Sequence, residues 1–183
     1  MNYFRKEFAL RNGMNLILRT PQLGEEKALI NQMKIADAET KYLAREEDEL
    51  QFSKEEEKDF VRKMLNNGDG FHLVSEINGQ IVGNCAVRLI SKNLRYLHRA
   101  SLGFAINKAF WGNGIGSKMI SECIHWCKNE GFEQLELEVV TDNTRAISLY
   151  KKFGFEIYST LKHSMKYLDG TYADEYIMIL FLK

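Results

Sequence analysis

Three glycines stand at alternate positions just before an apolar helical pattern: Gly112, Gly114 and Gly116 in the stretch FWGNGIGSKMI. Glycine inside a helix costs about 1 kcal/mol relative to alanine, so this cluster marks either a loose turn or a main chain that approaches a ligand closely. The first N–H groups of a helix lack partners within the helix and lie at its positive end, where an anion binds well. We therefore predict an anion site, to which Ser117 adds a hydroxyl. A flexible loop is the alternative, and the spacing matches neither the P-loop nor the dinucleotide-binding pattern.

The cysteines give little support for a metal site. Cys123 and Cys127 lie four residues apart in a helical pattern, where both thiols could bind one ion, but no further cysteine or histidine stands nearby at zinc spacing. With Cys85 they make an odd count. We predict no metal, and three reduced, packed thiols in a cytoplasmic protein.

The chain is predicted to form one domain over residues 1–183, because it has a single proline and no Gly/Ser-rich linker or repeat interrupts it. Asn-Gly pairs at 12–13 and 78–79 predict two β-hairpins. A helix is predicted from about Glu25 to Asp37, and Ser53 followed by Glu56 predicts a capping box that opens another. The later predicted elements are a strand ending near Ile106, a helix stopped by Gly131, a strand over QLELEVV, a short helix stopped by Gly154, and two closing strands on either side of Asp169-Gly170.

One strand–helix–strand unit, over roughly residues 96–140, is long enough for a right-handed parallel crossover. The other predicted strands follow one another closely and favour antiparallel pairing. We therefore expect a mixed α/β chain with a central, twisted, mostly antiparallel sheet of about seven strands, one parallel β-α-β crossover and helices on both faces.

The glycine stretch and the segment LELEVVTDNTRAISLYKKFGFE, residues 135–156, together resemble the GNAT superfamily of acetyl-CoA-dependent N-acetyltransferases. The family's phosphate-binding signature, Gln/Arg-x-x-Gly-x-Gly/Ala, corresponds to residues 111–116 and opens the family's third helix. The order of strands and helices fits over most of the chain, so the resemblance implies the GNAT fold. The motifs are closest to the branch that resembles ribosomal-protein alanine acetyltransferases. The family's second signature matches Asn143, Ala146, Leu149-Tyr150 and Gly154-Phe155.

The chain departs from the family's pattern at two positions. Trp111 stands where the family most often has glutamine or arginine, and Asn113 stands where a basic residue is common. We expect these residues to weaken any side-chain charge on the pyrophosphate. The main-chain donors are unaffected, so pyrophosphate binding should survive.

The resemblance implies a set of residues that bind acetyl-CoA, the cosubstrate. Main-chain groups of Phe104 and Ile106 would hold the pantetheine arm and the acetyl carbonyl, and the Ile106 N–H would polarise the thioester oxygen. Asn143 would donate to or accept from the pantetheine arm, although it also fits a helix N-cap, a position for which Asp142 competes. The pyrophosphate would lie on Gly112, Asn113, Gly114, Ile115, Gly116 and Ser117.

The resemblance also implies the acid and the base of the reaction. Tyr150 stands where the family contacts the cofactor and protonates the departing thiolate, and a phenol with an ordinary pKa of about 10 suits an acid that stays protonated at neutral pH. An aromatic residue on the core face of a short helix is the other interpretation. Glu138 stands where the alanine acetyltransferase branch has its proposed base, although a solvated or ion-paired strand residue fits as well. Glu136 shares its face but lies further from the carboxyl end of the strand.

The predicted reaction is direct acetyl transfer to a primary amine, with a small amine or an amino acid derivative favoured. A protein N-terminus or ribosomal protein is the alternative acceptor, and a non-catalytic CoA-binding or interaction module is the alternative of another class. In this family the acceptor is covered by segments that correspond to roughly residues 20–67 and 160–175. The stretch EEDELQFSKEEEKD carries eight acidic residues and two lysines. It fits either a wall that attracts a cationic acceptor or a solvated helix face.

Composition limits the other partners. The chain has 25 basic and 25 acidic side chains, so its net charge is zero and we expect neither nucleic acid nor a membrane as a partner. No apolar run is long enough for a signal peptide or a membrane span. The closing run EYIMILFL is apolar enough to permit a homodimer, which is common in the family, but it also fits a buried strand.

Overall fold

The computed structural model describes residues 3–46, 49, 53–66 and 70–182. These residues form two compact units, one of Met1–Arg88 with Gly103–Met119 and one of Leu89–Leu102 with Ile120–Lys183. No helix within the described ranges is long and apolar enough to cross a membrane. The elements in chain order are β1 (Arg5–Ala9), β2 (Asn15–Arg19), α1 (Glu26–Glu39), α2 (Lys54–Asn66), β3 (Gly70–Ile77), β4 (Gln80–Leu89), β5 (Arg99–Ile106), α3 (Ile115–Asn129), β6 (Gln134–Val140), α4 (Thr144–Lys152), β7 (Glu156–Lys166) and β8 (Tyr172–Phe181), with short 3-10 turns at Leu94–Tyr96 and Lys108–Phe110.

The first unit holds three antiparallel pairs, β1 with β2, β2 with β3 and β3 with β4, and β5 follows β4 in the strand order of the sheet. The predicted hairpin at Asn78-Gly79 is confirmed: both residues have positive φ, 51° and 77°, the twist that a two-residue turn between antiparallel strands needs. The predicted hairpin at Asn12-Gly13 is also confirmed, with Ala9 opposite Asn15.

Two helices of the first unit pack on its strands. The predicted capping box is present, because Ser53 N–H donates to Glu56 Oε2 at 2.8 Å and Glu56 N–H donates back to Ser53 Oγ at 3.2 Å. A cluster of buried side chains takes one residue from each of α1, α2, β3 and β4, and Leu65 packs against it. These four residues are Leu29, Val61, Val74 and Ile81.

The parallel strand pairing that the sequence predicted lies in the second unit. Strand β5 pairs in parallel with β6, with Arg99 opposite Gln134 and Ser101 opposite Glu136. Strand β8 then pairs with β6 and with β7, both antiparallel, in the order β5-β6-β8-β7. The described residues form eight strands, whereas we expected about seven, because the short strand β1 pairs along its whole length with β2.

Gly83 in β4 allows the end of β5 to lie close to it. A Cβ at this position would stand 2.8 Å from Ser75 Oγ and 2.9 Å from the carbonyl oxygen of Ala105. Both distances are shorter than a carbon can approach without displacing its neighbour, and the second neighbour is main chain.

We expect Gly83→Ala to lower the free energy of unfolding by about 1–3 kcal/mol, the usual cost of overpacking. Urea denaturation of the two proteins measures this. Gly103→Ala in β5 is the matched control, because no described atom lies within 4 Å of a Cβ there. Equal loss of stability in both variants would contradict the role of close packing at Gly83.

Candidate active site

The predicted anion loop runs from the end of β5 to the start of α3. Gly112 and Gly114 both have φ +83°, a left-handed conformation that glycine adopts without strain. The Gly114 carbonyl accepts the first helical bond of α3, from Lys118 N–H at 3.2 Å. The N–H groups of the first turn, from Ile115 to Ser117, precede the first donor of the helical ladder and lie at the positive end of α3. This arrangement suits an anion, and the anion site itself stays a prediction.

Trp111 and Asn113 hold the loop by hydrogen bonds that the sequence did not suggest. Trp111 Nε1–H donates to the carbonyl of Ile106 at 2.5 Å. Asn113 Nδ2 donates to the carbonyls of Phe110 at 3.0 Å and Trp111 at 3.3 Å, and Asn113 Oδ1 accepts from Asn12 at 2.7 Å. Both side chains that replace the family's polar residues therefore shape the main chain of the loop.

The predicted site residues of the first unit lie on one continuous segment. Phe104 and Ile106 are part-buried near the end of β5. Within the same unit, Ala105 and Ile106 lie against Gly83 of β4, and Asn107 N–H donates to the carbonyl of Val82 at 2.9 Å. The end of β5 is therefore held from β4 before the chain enters the glycine loop.

In the second unit, the two candidate bases both lie on β6 but differ in their contacts. Glu136 accepts two hydrogen bonds from Arg99, from Nε at 2.5 Å and from Nη2 at 2.9 Å, and this pairing raises the pKa of Arg99. Glu138 is exposed and lies opposite Ile177 of β8. The ion pair engages Glu136 as a structural residue, which leaves Glu138 as the better candidate to accept a proton.

Helix α4 presents the other two predicted residues of the second unit. Asn143 is its N-cap: its Oδ1 accepts from Ala146 N–H at 3.2 Å, so the capping alternative is realised and Asp142 is not the cap. Tyr150 is buried, and its ring centroid lies 5.7 Å from that of Phe155. Tyr150 therefore packs in the core, as its alternative interpretation expected. It lies on the short helix that the family motif predicts.

The acidic stretch of residues 46–59 is described only in part, because residues 47, 48 and 50–52 lie outside the described residues. Glu55 and Glu56 are exposed in the first turn of α2, where carboxylates stabilise the helix dipole. Glu57 is buried, and burial raises the pKa of its carboxyl group, helped by the nearby charge of Glu26. Over the described ranges no three histidine, cysteine or acidic side chains form a group that could hold a metal ion.

Comparison with known proteins identifies the family. Residues 36–155 match the model of the acetyltransferase (GNAT) family. The chain is 34% identical to the L-amino acid N-acetyltransferase AaaT of Escherichia coli K12 over 108 residues, 58% of this chain and 65% of AaaT, just under two thirds of that enzyme. It is 28% identical to a candidate ribosomal protein bS18-alanine N-acetyltransferase of Bacillus subtilis over 131 residues, 71% of this chain and 82% of that protein.

The fold has close counterparts among solved structures. A GNAT-family acetyltransferase of Streptococcus pneumoniae superposes with a TM-score of 0.86 at 27% identity, covering 91% of this chain and 99% of that one. The predicted fold class is therefore confirmed. The chain belongs to the GNAT acetyltransferase family.

Proposed function

We propose that this protein is an acetyl-CoA-dependent N-acetyltransferase that moves an acetyl group to a primary amine by direct attack. The observation that carries the proposal is the loop that follows β5, where Gly112 and Gly114 in the left-handed conformation lead into the first turn of α3. The donors of that turn suit a pyrophosphate, and membership of the GNAT family supports acetyl-CoA as its source.

The proposed step needs an oxyanion donor, a base and an acid. The Ile106 N–H donates to the thioester oxygen as charge develops there. The amine nitrogen bonds to the acetyl carbon and the carbon–sulfur bond breaks. Before this attack one ammonium proton passes to Glu138, directly or through a water, which frees the electron pair of the nitrogen. The sulfur takes a proton from Tyr150, and the second proton, which the nitrogen loses as it becomes an amide, returns to the Tyr150 oxygen through solvent. A primary ammonium with an ordinary pKa of about 10 is mostly protonated at neutral pH, which is why a base is needed.

A small amine or an amino acid derivative is the acceptor we favour, and the similarity to AaaT, named for L-amino acids, supports it. The alternative is a protein N-terminus, supported by the relative named for alanine of ribosomal protein bS18. A non-catalytic CoA-binding module is the alternative of another class, and it would need neither Tyr150 nor Glu138.

Release of free thiol from acetyl-CoA over a panel of amines tests the proposal. The panel holds amino acids, polyamines, aminoglycosides and short peptides with free amino termini. Turnover with amino acids or other small amines alone supports the favoured acceptor, whereas turnover with peptides alone supports the alternative. Thermal stabilisation by acetyl-CoA without turnover on any amine would favour the binding module.

Affinity for acetyl-CoA should depend on the left-handed conformation at Gly114. We expect Gly114→Ala to weaken acetyl-CoA binding about tenfold, because an L-residue at φ +83° costs about 1–2 kcal/mol and the loop relaxes away from the geometry that presents the donors. Isothermal titration calorimetry measures the change.

Gly131→Ala is the matched control for this prediction. Gly131 has φ +81°, and at neither glycine does a described atom lie within 4 Å of an added Cβ. Both variants should lose similar stability, whereas only Gly114→Ala should lose affinity. Unchanged affinity in Gly114→Ala would remove the glycine loop from the cofactor site.

Three further parts of the proposal have simple tests. All three cysteines are buried thiols, and reduced cysteines are typical of the cytoplasm. We therefore propose a cytoplasmic location, which cell fractionation tests. A single domain over residues 1–183 predicts one cooperative unfolding transition. A homodimer through the last strands stays a prediction, for light scattering to test.

A further inference from the structure

The peptide unit between Ile106 and Asn107 is held at both of its polar groups. Its carbonyl, that of Ile106, accepts from Trp111 Nε1–H at 2.5 Å, and its N–H, that of Asn107, donates to the carbonyl of Val82 at 2.9 Å. A peptide unit is planar, and its C=O and N–H point in opposite directions. Bonds at both ends therefore fix the rotation of the whole plane.

The side chain that follows this peptide is anchored as well. Asn107 Oδ1 accepts from Gln32 Nε2 at 2.9 Å, and Gln32 Oε1 in turn accepts from Asn84 Nδ2. Gln32 and Asn107 are 1% and 4% exposed, so these amides are bonded away from water, where breaking one bond leaves a costly unpaired group. Helix α1 and strand β4 thus both hold the residue after Ile106.

The preceding peptide, between Ala105 and Ile106, carries the Ile106 N–H and is confined by Gly83. Gly83 lies so close to β5 that a Cβ there would stand 2.9 Å from the Ala105 carbonyl oxygen and 3.0 Å from Ile106 Cγ1. The two planes that meet at the Ile106 Cα are therefore each held by a neighbour. The indole of Trp111 supplies a side-chain bond to this pair of peptides.

We propose that Trp111 is a positioning residue: its bond to the Ile106 carbonyl fixes the peptide plane on one side of the Ile106 Cα, and this limits the rotation of the neighbouring plane that carries the Ile106 N–H. This inference rests on the proposed function, in which that N–H donates to the acetyl carbonyl of acetyl-CoA. An oxyanion donor works because it is already aimed where charge develops, so a small rotation of the peptide lowers the rate more than it lowers the binding of the cofactor.

Two replacements at position 111 test the proposal. Trp111→Phe keeps an aromatic ring and removes the indole N–H. Incorporation of benzothienylalanine at position 111 replaces that N–H by sulfur in a ring of nearly the same shape. This second replacement keeps the test valid if the smaller phenyl ring of Trp111→Phe disturbs the fold. Trp126→Phe is the matched control, since Trp126 packs against Phe132 in the other unit.

The decisive readout is the infrared band of the thioester carbonyl in bound acetyl-CoA carrying a 13C label. In the wild type, donation from Ile106 N–H lowers this frequency relative to free acetyl-CoA. We expect both replacements at position 111 to move the band back toward its free position and to lower kcat roughly 10- to 100-fold, with the Kd of acetyl-CoA nearly unchanged. Trp126→Phe should change none of the three.

The outcomes separate this inference from the proposed function. A wild type that neither binds acetyl-CoA nor releases thiol overturns the proposed function and the inference with it. An active wild type whose carbonyl band and kcat are the same in both position-111 replacements overturns the inference alone. A loss of kcat that comes only with a matching loss of acetyl-CoA affinity, and no movement of the band, also overturns it, because Trp111 would then only support the loop.

Discussion

Tyr150→Phe is expected to lower kcat by roughly 10²- to 10⁴-fold while the Kd of acetyl-CoA stays nearly constant. The substitution removes the phenolic proton that we propose for the departing sulfur, and it keeps the ring that packs 5.7 Å from Phe155. The fold of α4 should therefore survive. Steady-state kinetics across about pH 6–9, below the ordinary phenol pKa of about 10, measure the loss.

Tyr158→Phe is the matched control for this prediction. Tyr158 in β7 is 70% exposed and carries the same chemical group. Its loss should leave kcat and stability unchanged. A Tyr150→Phe protein with wild-type kcat at every pH would show that the buried ring serves packing alone and that another group or solvent protonates the sulfur.

Glu138→Gln is expected to lower kcat roughly 100-fold. Glutamine has no carboxylate and cannot accept the ammonium proton. Since Glu138 is exposed on β6, the substitution should change the free energy of unfolding very little. Steady-state kinetics measured alongside urea denaturation test both statements.

Glu136→Gln gives the opposite pattern and serves as the control. Glu136 shares a face with Glu138, but its two oxygens accept from Arg99. Its replacement should lower the free energy of unfolding by about 1 kcal/mol and leave kcat nearly unchanged. A large loss of kcat in Glu136→Gln together with wild-type kcat in Glu138→Gln would reverse the two roles.

Local sequence signals predicted the frame of the fold. The Asn78-Gly79 turn, the Ser53–Glu56 capping box and the helix start at the glycines each depend on residues within a few positions of one another. The parallel crossover followed from length and order alone. These features are confirmed because short-range chemistry decides them with little help from the rest of the chain.

The contacts that the sequence could not predict join residues far apart in the chain. The bond from Gln32 to Asn107 spans 75 positions, and that from Asn84 to Gln32 spans 52. The pairing of Arg99 with Glu136 follows only once β5 and β6 are in register. Alternation along β6 put Glu136 and Glu138 on one face, but it could not say which of them was engaged.

Trp111 shows the limit of reading a motif by its charge. Judged only as a replacement for glutamine or arginine, Trp111 removes a polar side chain from the glycine loop. Its indole N–H instead bonds five positions back to the Ile106 carbonyl, a contact that depends on the curl of the 3-10 turn between them. Asn143 shows the reverse case, since its cap on α4 was one of two roles its position allowed.

The most direct test of direct acetyl transfer follows the label from 13C-acetyl-CoA into the products formed by the wild-type protein. Mass spectrometry of the reaction with the best amine of the panel should find the label in the acetylated amine, in an amount equal to the thiol released, and hardly any product with Tyr150→Phe. Label found only in free acetate, or no product with any amine of the panel, would contradict the account.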